Sequence, residues 1–346
     1  MVGREGPLPR RATIMEKTRM RRITRRDLVR QAGSAALITA GGAAALAQDA
    51  GSWPTKTVRI ISNFAPGGGT DNATRPFLDK VSKALGQQIV IENRGGASGA
   101  IGIEAAIKSP PDGYTFLATP SLSLAIVPHI RQVSFDVFKD LAPVTMHADS
   151  MMLIAVHPSL PVNSLPELVA YAKANPGKVS WGTAGVGSTG HILSEVFKRE
   201  AGVDILHVPY RGTAEALNDF LAGVVQVNGD PPVLAHVQSG KAKLLAVVSR
   251  ERRPDYPDVP RLQELYPTVN ITVWFSLFAP AGTPEPIINK MAAAFNAAAG
   301  DPDIRKILLN FAMVPNPGTP AELAALLRAD YDKYGRIIRE FNIRAE

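Results

Sequence analysis

From residue 58 to residue 248, short apolar runs alternate with segments whose apolar positions recur at helical spacing. The runs Val58 to Phe64, Gln88 to Glu92, Tyr114 to Ala118, Met151 to Val156, Val179 to Thr183, Ile205 to Val208, Val224 to Asn228 and Leu244 to Val248 predict strands. Strand, helix, strand in repetition predicts an α/β protein with largely parallel sheets. Helix starts are marked by their chemistry: Ser164 to Glu167 (SLPE) and Thr319 to Glu322 (TPAE) read as capping boxes, and Asp301-Pro302 puts proline at a first helical position. The helix after Glu167 is expected to stop at Asn175-Pro176-Gly177. The last helix lines Leu323, Leu327, Tyr334, Ile338 and Phe341 along one face, which predicts a core stripe.

Two stretches interrupt this rhythm. One runs from Phe135 to Pro143; the other, Arg252 to Pro267, carries four prolines and precedes the apolar run Val273 to Phe278. Between them lies a self-contained block, so residues 151–272 are expected to form one lobe inserted into another made of 48–150 and 273–346. A chain that crosses twice between lobes can hinge.

The chain has 346 residues, of which 45% are hydrophobic and 20% charged, enough to build a packed core. Its net charge of +7 would suit a nucleic acid or an anionic membrane, but residues 1–47 hold ten Lys or Arg against three Asp or Glu, and the remainder is balanced. No nucleic-acid partner is expected. The basic segment Arg21 to Arg30, the apolar stretch Ala32 to Leu46 and the small residues Ala45-Leu46-Ala47 before Gln48 read as an export signal over residues 1–47, cleaved after Ala47. Thr24 to Val29 (TRRDLV) resembles the twin-arginine motif. The apolar stretch, about 15 residues of mostly Ala and Gly, falls short of the roughly 20 that a membrane anchor needs. Met1, Met15 and Met20 are all open as starts. Export places the mature chain in the periplasm; there thiols are oxidised, and the absence of cysteine leaves stability to the core.

Two glycine-rich loops stand out. Phe64-Ala65-Pro66-Gly67-Gly68-Gly69-Thr70-Asp71 follows the first strand and leads into a helix expected from Asn72, with Pro76 awkwardly inside it. Backbone N–H groups in such a turn approach a ligand closely, and the helix end favours a carboxylate or phosphate. A tight turn capped by Thr70 or Asp71 is the plainer reading. No Gly-Lys-Ser/Thr is present, so it is no nucleotide P-loop. The second loop, Gly185-Val186-Gly187-Ser188-Thr189-Gly190-His191, matches G-x-G-x-x-G after a strand. Asp204 begins the next strand, whereas a dinucleotide fold wants its acid at the far end; Val186 likewise excludes a nucleophile elbow at Ser188. A hydroxyl-rich anion cradle remains, and two cradles facing across a cleft would hold a small anion from both sides.

Other chemistry is sparse. His129, His147, His157, His191, His207 and His236 show no metal-ligand spacing, no carboxylate pair stands out, and no cofactor, metal or catalysis is expected. His191 is open between ligand contact and a structural part at its helix start, and Arg211 between pairing a carboxylate and lying in solvent.

The succession APGGGTD (65–71), IVIENRGGASG (89–99), PDGYTFLAT (111–119), AKANPGKVSWGTAGVGSTGH (172–191), HVPYRGTAEAL (207–217), QSGKAKLLAV (238–247) and FAPAGTP (278–284) resembles the tripartite tricarboxylate transporter receptors, the Bug-type periplasmic solute-binding proteins. The resemblance spans the mature chain. It implies a two-lobed periplasmic binding protein fold of the α/β class with the ligand cleft between the lobes. It also implies capture of a small organic acid and delivery to a membrane permease, without catalysis. A ligand sensor for a signalling partner is the alternative. Carried over by residue, Phe64, Gly68, Gly69, Thr70 and Asp71 match the first-lobe loop, Thr119 and Ser121 the turn after the third strand, and Gly185, Ser188, Thr189 and His191 the second-lobe loop. Asp230 matches an acidic position facing the cleft. Asn228 to Pro232 (NGDPP), Phe64-Ala65 and Arg94-Gly95-Gly96 depart from the family's usual residues, so the distal pocket is expected to be particular to this chain.

Overall fold

The computed structural model describes residues 52–249, 252–253 and 255–344; the expected export signal, its cleavage after Ala47 and the choice of start lie outside them. Val58–Ser62 (β1) is buried along its length apart from Arg59, as suits an inner strand. It lies in a six-stranded sheet whose spatial order is Met313–Pro315 (β11), Leu141–Ser150 (β4), Val273–Pro280 (β10), Thr115–Pro120 (β3), β1 and Ile89–Asn93 (β2). The second sheet has five strands, in the order Leu206–Pro209 (β7), Ser180–Thr183 (β6), Val227–Asn228 (β8), Met152–Val156 (β5) and Lys243–Val248 (β9).

Both sheets are mixed, which corrects the expectation of largely parallel pairing. β1 runs parallel to β2 and β3, and β6 parallel to β7 and β8. β10 is antiparallel to β3 and β4, β11 to β4, and β5 to β8 and β9. The cause lies in the crossings. The chain leaves the first sheet through Met151 alone and arrives in β5; it returns through 249–272 and arrives in β10. Each arriving strand is inserted between two that run the other way.

β4 was hidden in the sequence because Thr145, His147, Asp149 and Ser150 are polar yet buried, and because Pro143 interrupts it. Pro143 is tolerated at a register shift against β10, beyond the reach of β11, which pairs only with Ala148 to Ser150. The helix expected from Asn72 begins at Gly69 and runs to Leu85 with Pro76 inside it. Thr319 forms a full capping box, whereas Ser164 caps Glu167 and the Glu167 carboxylate reaches the Asn163 N–H instead. The Pro320–Glu340 helix buries Leu323, Leu327, Tyr334 and Ile338. The Trp274 indole N–H donates to Asp330 Oδ2 at 2.8 Å and the Tyr334 hydroxyl to the Thr272 carbonyl at 3.1 Å, tying this helix to β10 and the chain entering it. At its far end Glu340 pairs with Arg199 of the Thr189–Ala201 helix, whose residues pack on the second sheet. Among the described residues no helix is long and apolar enough to cross a membrane.

Candidate functional site: a cleft between two glycine loops

Each sheet delivers one glycine loop and one helix start to a cleft of about 1160 Å³. The first loop turns at Gly67, whose φ of +74° is a left-handed conformation that glycine adopts without strain. Gly68 is the N-cap of the Gly69–Leu85 helix and brings no side chain to cap it. Asp71, one turn on, accepts the Gly67 N–H at 3.0 Å, the Arg75 guanidinium at 2.6 Å and the Asn93 amide at 3.0 Å. Burial raises the Asp71 pKa, but these donors outweigh it and hold the carboxyl below its usual range. Asp71 therefore fastens the loop from behind while Gly67, Gly68, Gly69 and Asn72 line the cleft. Gly69 has little room for a side chain, because an added Cβ would stand 3.2 Å from the Phe275 ring, which would have to give way.

The second loop is fastened differently. Gly185 and Gly187 both take positive φ, and the Ser188 hydroxyl caps the Thr189–Ala201 helix by accepting the His191 N–H at 3.2 Å. The His191 ring turns back so that Nδ1 accepts the Gly187 N–H at 3.0 Å. It also stacks face to face on His207 of β7, with centroids 3.9 Å apart and 4° between planes. His207 Nε2 contacts the Thr183 hydroxyl at 2.7 Å, which joins the loop to the end of β6. Burial depresses both imidazoles, His207 to about 4, where neighbouring His191 and Lys198 add to the effect. Donor atoms of His191, Glu195 and His207 lie within 4.8 Å of one another. The rings are parallel, so their in-plane lone pairs do not converge, and Glu195 is held by Lys198 at 2.7 Å. Sequence spacing gave no hint of this pair, which β7 supplies from across the sheet.

Of the expected site residues, Gly68, Gly69, Ser188, Thr189 and Asp230 line the cleft. The others stand behind it. Phe64 offers its carbonyl to Asn93 at 3.0 Å. Thr70 is buried at the helix start. Thr119 accepts the Asn63 amide at 2.9 Å, and Ser121 accepts the Trp274 N–H at 3.4 Å. Gly185 turns the second loop, and Asp71 and His191 brace the two loops as described. Arg211 is exposed, with its N–H on Glu215 at 3.3 Å.

Several residues of the cleft gave no signal in the sequence. Arg253 lines it almost wholly buried, in a two-pronged pair with Asp255 at 2.7 and 2.6 Å. Phe275, Met152, Leu217 and Phe311 supply apolar wall, and Thr213 begins a further helix that faces the same space. Asp230 is buried at the second-sheet end; its backbone N–H donates to Asn228 Oδ1 at 2.8 Å, while its Oδ2 has no partner. Burial pushes its carboxyl up to about 6 against the opposing effect of the Thr213 side chain. The arrangement has helix-end donors at both ends and apolar sides, and among the described residues that line it no nucleophile is paired with a base, which suits holding a small anion.

The profile described as "Tripartite tricarboxylate transporter family receptor" matches residues 73–343. The protein BugT of Bordetella pertussis is 34% identical over 312 residues, covering 88% of this chain and 94% of the relative. A solved structure described as a periplasmic transporter is 35% identical with a TM-score of 0.74, covering 84% of this chain and 99% of that one. A protein of R. palustris solved with adipate is 30% identical with a TM-score of 0.72, covering 84% and 99%.

Proposed function

Since this chain belongs to the tripartite tricarboxylate transporter receptors, non-enzymatic periplasmic solute-binding proteins, we propose that it captures a small organic carboxylate for a tripartite uptake system and presents it to the membrane permease. The observation that carries this reading is the pair of glycine loops, one from each sheet, that set two helix starts on a single cleft. The ligand carboxylate lies at the two helix starts, on the Gly69 N–H, since the Gly67 and Gly68 N–H groups donate to Asp71 and Ala65, and on Ser188 and Thr189. Adipate in the R. palustris relative supports the same ligand class. In this reading residues 48–150 with 273–346 form one lobe and 151–272 the other. Residues 1–47 direct export by the twin-arginine route and are cleaved after Ala47. Arg253 is already matched by Asp255, so the cradle works through backbone dipoles instead of a free guanidinium.

The magnitudes suffice. Micromolar binding needs about −8 kcal/mol; charge-assisted hydrogen bonds contribute about 1.5–3 kcal/mol each and helix ends about 0.3–1 kcal/mol. Only a ligand touching both loops favours the closed arrangement, which couples occupancy to the shape the permease meets. The test is a thermal-shift and calorimetric screen of the purified protein against organic acids and neutral metabolites. Saturable stabilisation by a carboxylate is expected, with loss of binding in Gly69→Leu and Ser188→Leu and an unchanged far-UV spectrum. Stabilisation by neutral compounds alone, or unaltered affinity in both variants, would refute it.

A further inference from the structure

The cleft carries an uncompensated negative charge of its own. Among the described residues that line it, the acidic side chains are Asp230 and Asp255, and Asp255 is matched by Arg253 at 2.7 and 2.6 Å. Asp230 has no such partner. It is 6% exposed, and its Oδ2 makes no hydrogen bond. It also stands at the second helix start: its Oδ1 lies 3.1 Å from where a Cβ on Gly190 would be, and the Thr213 side chain lies beside it at the start of the next helix. The protein's own carboxylate thus occupies ground where the second carboxylate of a dicarboxylic ligand would be received. The Gly67–Gly69 end has no acidic side chain on the cleft, because Asp71 faces backward onto Arg75, Asn93 and the Gly67 N–H.

We propose that Asp230 is an ammonium subsite: the ligand carboxylate lies on the Gly67–Gly69 loop and a cationic amino group lies on Asp230, so the cleft selects amino-bearing carboxylates over dicarboxylates. The inference rests on the receptor reading above and narrows its ligand class. A second ligand carboxylate at Asp230 meets a like charge, and the lining guanidinium, Arg253, is already matched by Asp255. An ammonium there adds a charge-assisted hydrogen bond to the Asp230 carboxylate, which has only the Thr213 side chain beside it, and relieves the burial of an unpaired charge. Burial has raised the Asp230 pKa to about 6. An ammonium neighbour lowers it, so binding of the amine near that pH releases a proton.

The experiment compares β-alanine, γ-aminobutyrate and δ-aminovalerate with succinate, glutarate and adipate, which differ pairwise only in ammonium for carboxylate, by calorimetry on the wild-type protein and Asp230→Asn. At one matched length or more, the amino acid is expected to bind wild type about ten- to a hundredfold more tightly than its dicarboxylate, the range of one charge-assisted contact. Asp230→Asn is expected to erase that preference. Measured near pH 6 in buffers of different ionisation enthalpy, amine binding releases protons in wild type and not in the variant. The wild-type comparison and the proton count require no variant to fold. Dicarboxylates binding wild type as tightly as their partners, a preference unchanged by Asp230→Asn, or other carboxylates binding while neither series does would each overturn the ammonium subsite and leave the receptor reading standing. Binding of no carboxylate at all would overturn both.

Discussion

The two ends of the cleft use the same part, a glycine turn feeding a helix start, but secure it with groups of opposite character. At the first end an ionised carboxylate, Asp71, braces the loop from behind, and the front is left to backbone donors. At the second end a neutral imidazole, His191, braces the loop, and a carboxylate, Asp230, stands in front. One end therefore is an open anion cradle with its charge spent inward; the other presents a negative charge to whatever the first end has caught. That asymmetry gives a ligand a direction in the cleft.

The sharpest way to probe it is to neutralise each carboxylate in turn, because the physics predicts opposite signs. A carboxyl whose folded pKa is raised contributes full stability below its unfolded value and loses it as pH rises through the folded value. For Asp230, carried from 3.8 to about 6 by burial, the unliganded protein thus gives up about 3 kcal/mol at neutral pH. Asp230→Asn is expected to raise the stability of the ligand-free protein by up to that amount above pH 6, with the gain fading toward pH 4. Denaturant melts across this range check it; a destabilised variant at neutral pH would contradict the picture of an unpaired charge.

Asp71→Ala is expected to do the reverse, costing about 1–3 kcal/mol, because it strands the Gly67 N–H, the Arg75 guanidinium and the Asn93 amide together. Its folded pKa is depressed, so the contribution is present above the unfolded value and is lost only as pH falls through the acid range beneath it. Ligand affinity should fall as well, since the loop loses its brace. Equal melting of variant and wild type would show that the turn holds itself.

How much of this contrast could be read in the sequence follows from which contacts are local. Both loops, their order and the helix starts at Ser164, Asp301 and Thr319 were legible, because glycine turns and caps are written within a few consecutive residues. β4 was not, because its buried Thr145, His147 and Asp149 imitate a polar loop and Pro143 imitates a break. Its identity comes from β10 and β11 on either side. Nor could sequence distinguish lining from bracing: Thr70, Asp71, Thr119 and His191 belong to the expected motifs yet sit behind the cleft. Arg253 and Phe275 enter it from segments more than a hundred residues away from the first loop, Arg253 from a stretch read only as an interruption and Phe275 from the apolar run that follows it.

The smallest expected effect concerns the brace at the second end. His191 accepts the Gly187 N–H through Nδ1, and a protonated ring cannot accept. Its neighbours bear on its charge from each side: His207 from β7 stacks on it, Glu195 and Lys198 follow on its own helix, and Asp230 lies across Gly190. Burial keeps the His191 pKa below the ordinary value near 6.5, and that of stacked His207 reaches about 4. Between these pH values the unfolded chain binds more protons than the folded one, so stability falls as pH falls from about 6.5 toward about 4. Asp230 acts in the opposite sense, so the decline is best read in the Asp230→Asn background. There the thermal midpoint should drop progressively over that range. His191→Gln, whose side chain has no proton to gain, should flatten part of the decline, and the Asp71-braced loop should contribute none of it until more acid conditions. A midpoint that is level from pH 6.5 to 4 in the Asp230→Asn protein would show that the two loops do not differ in the way their braces imply.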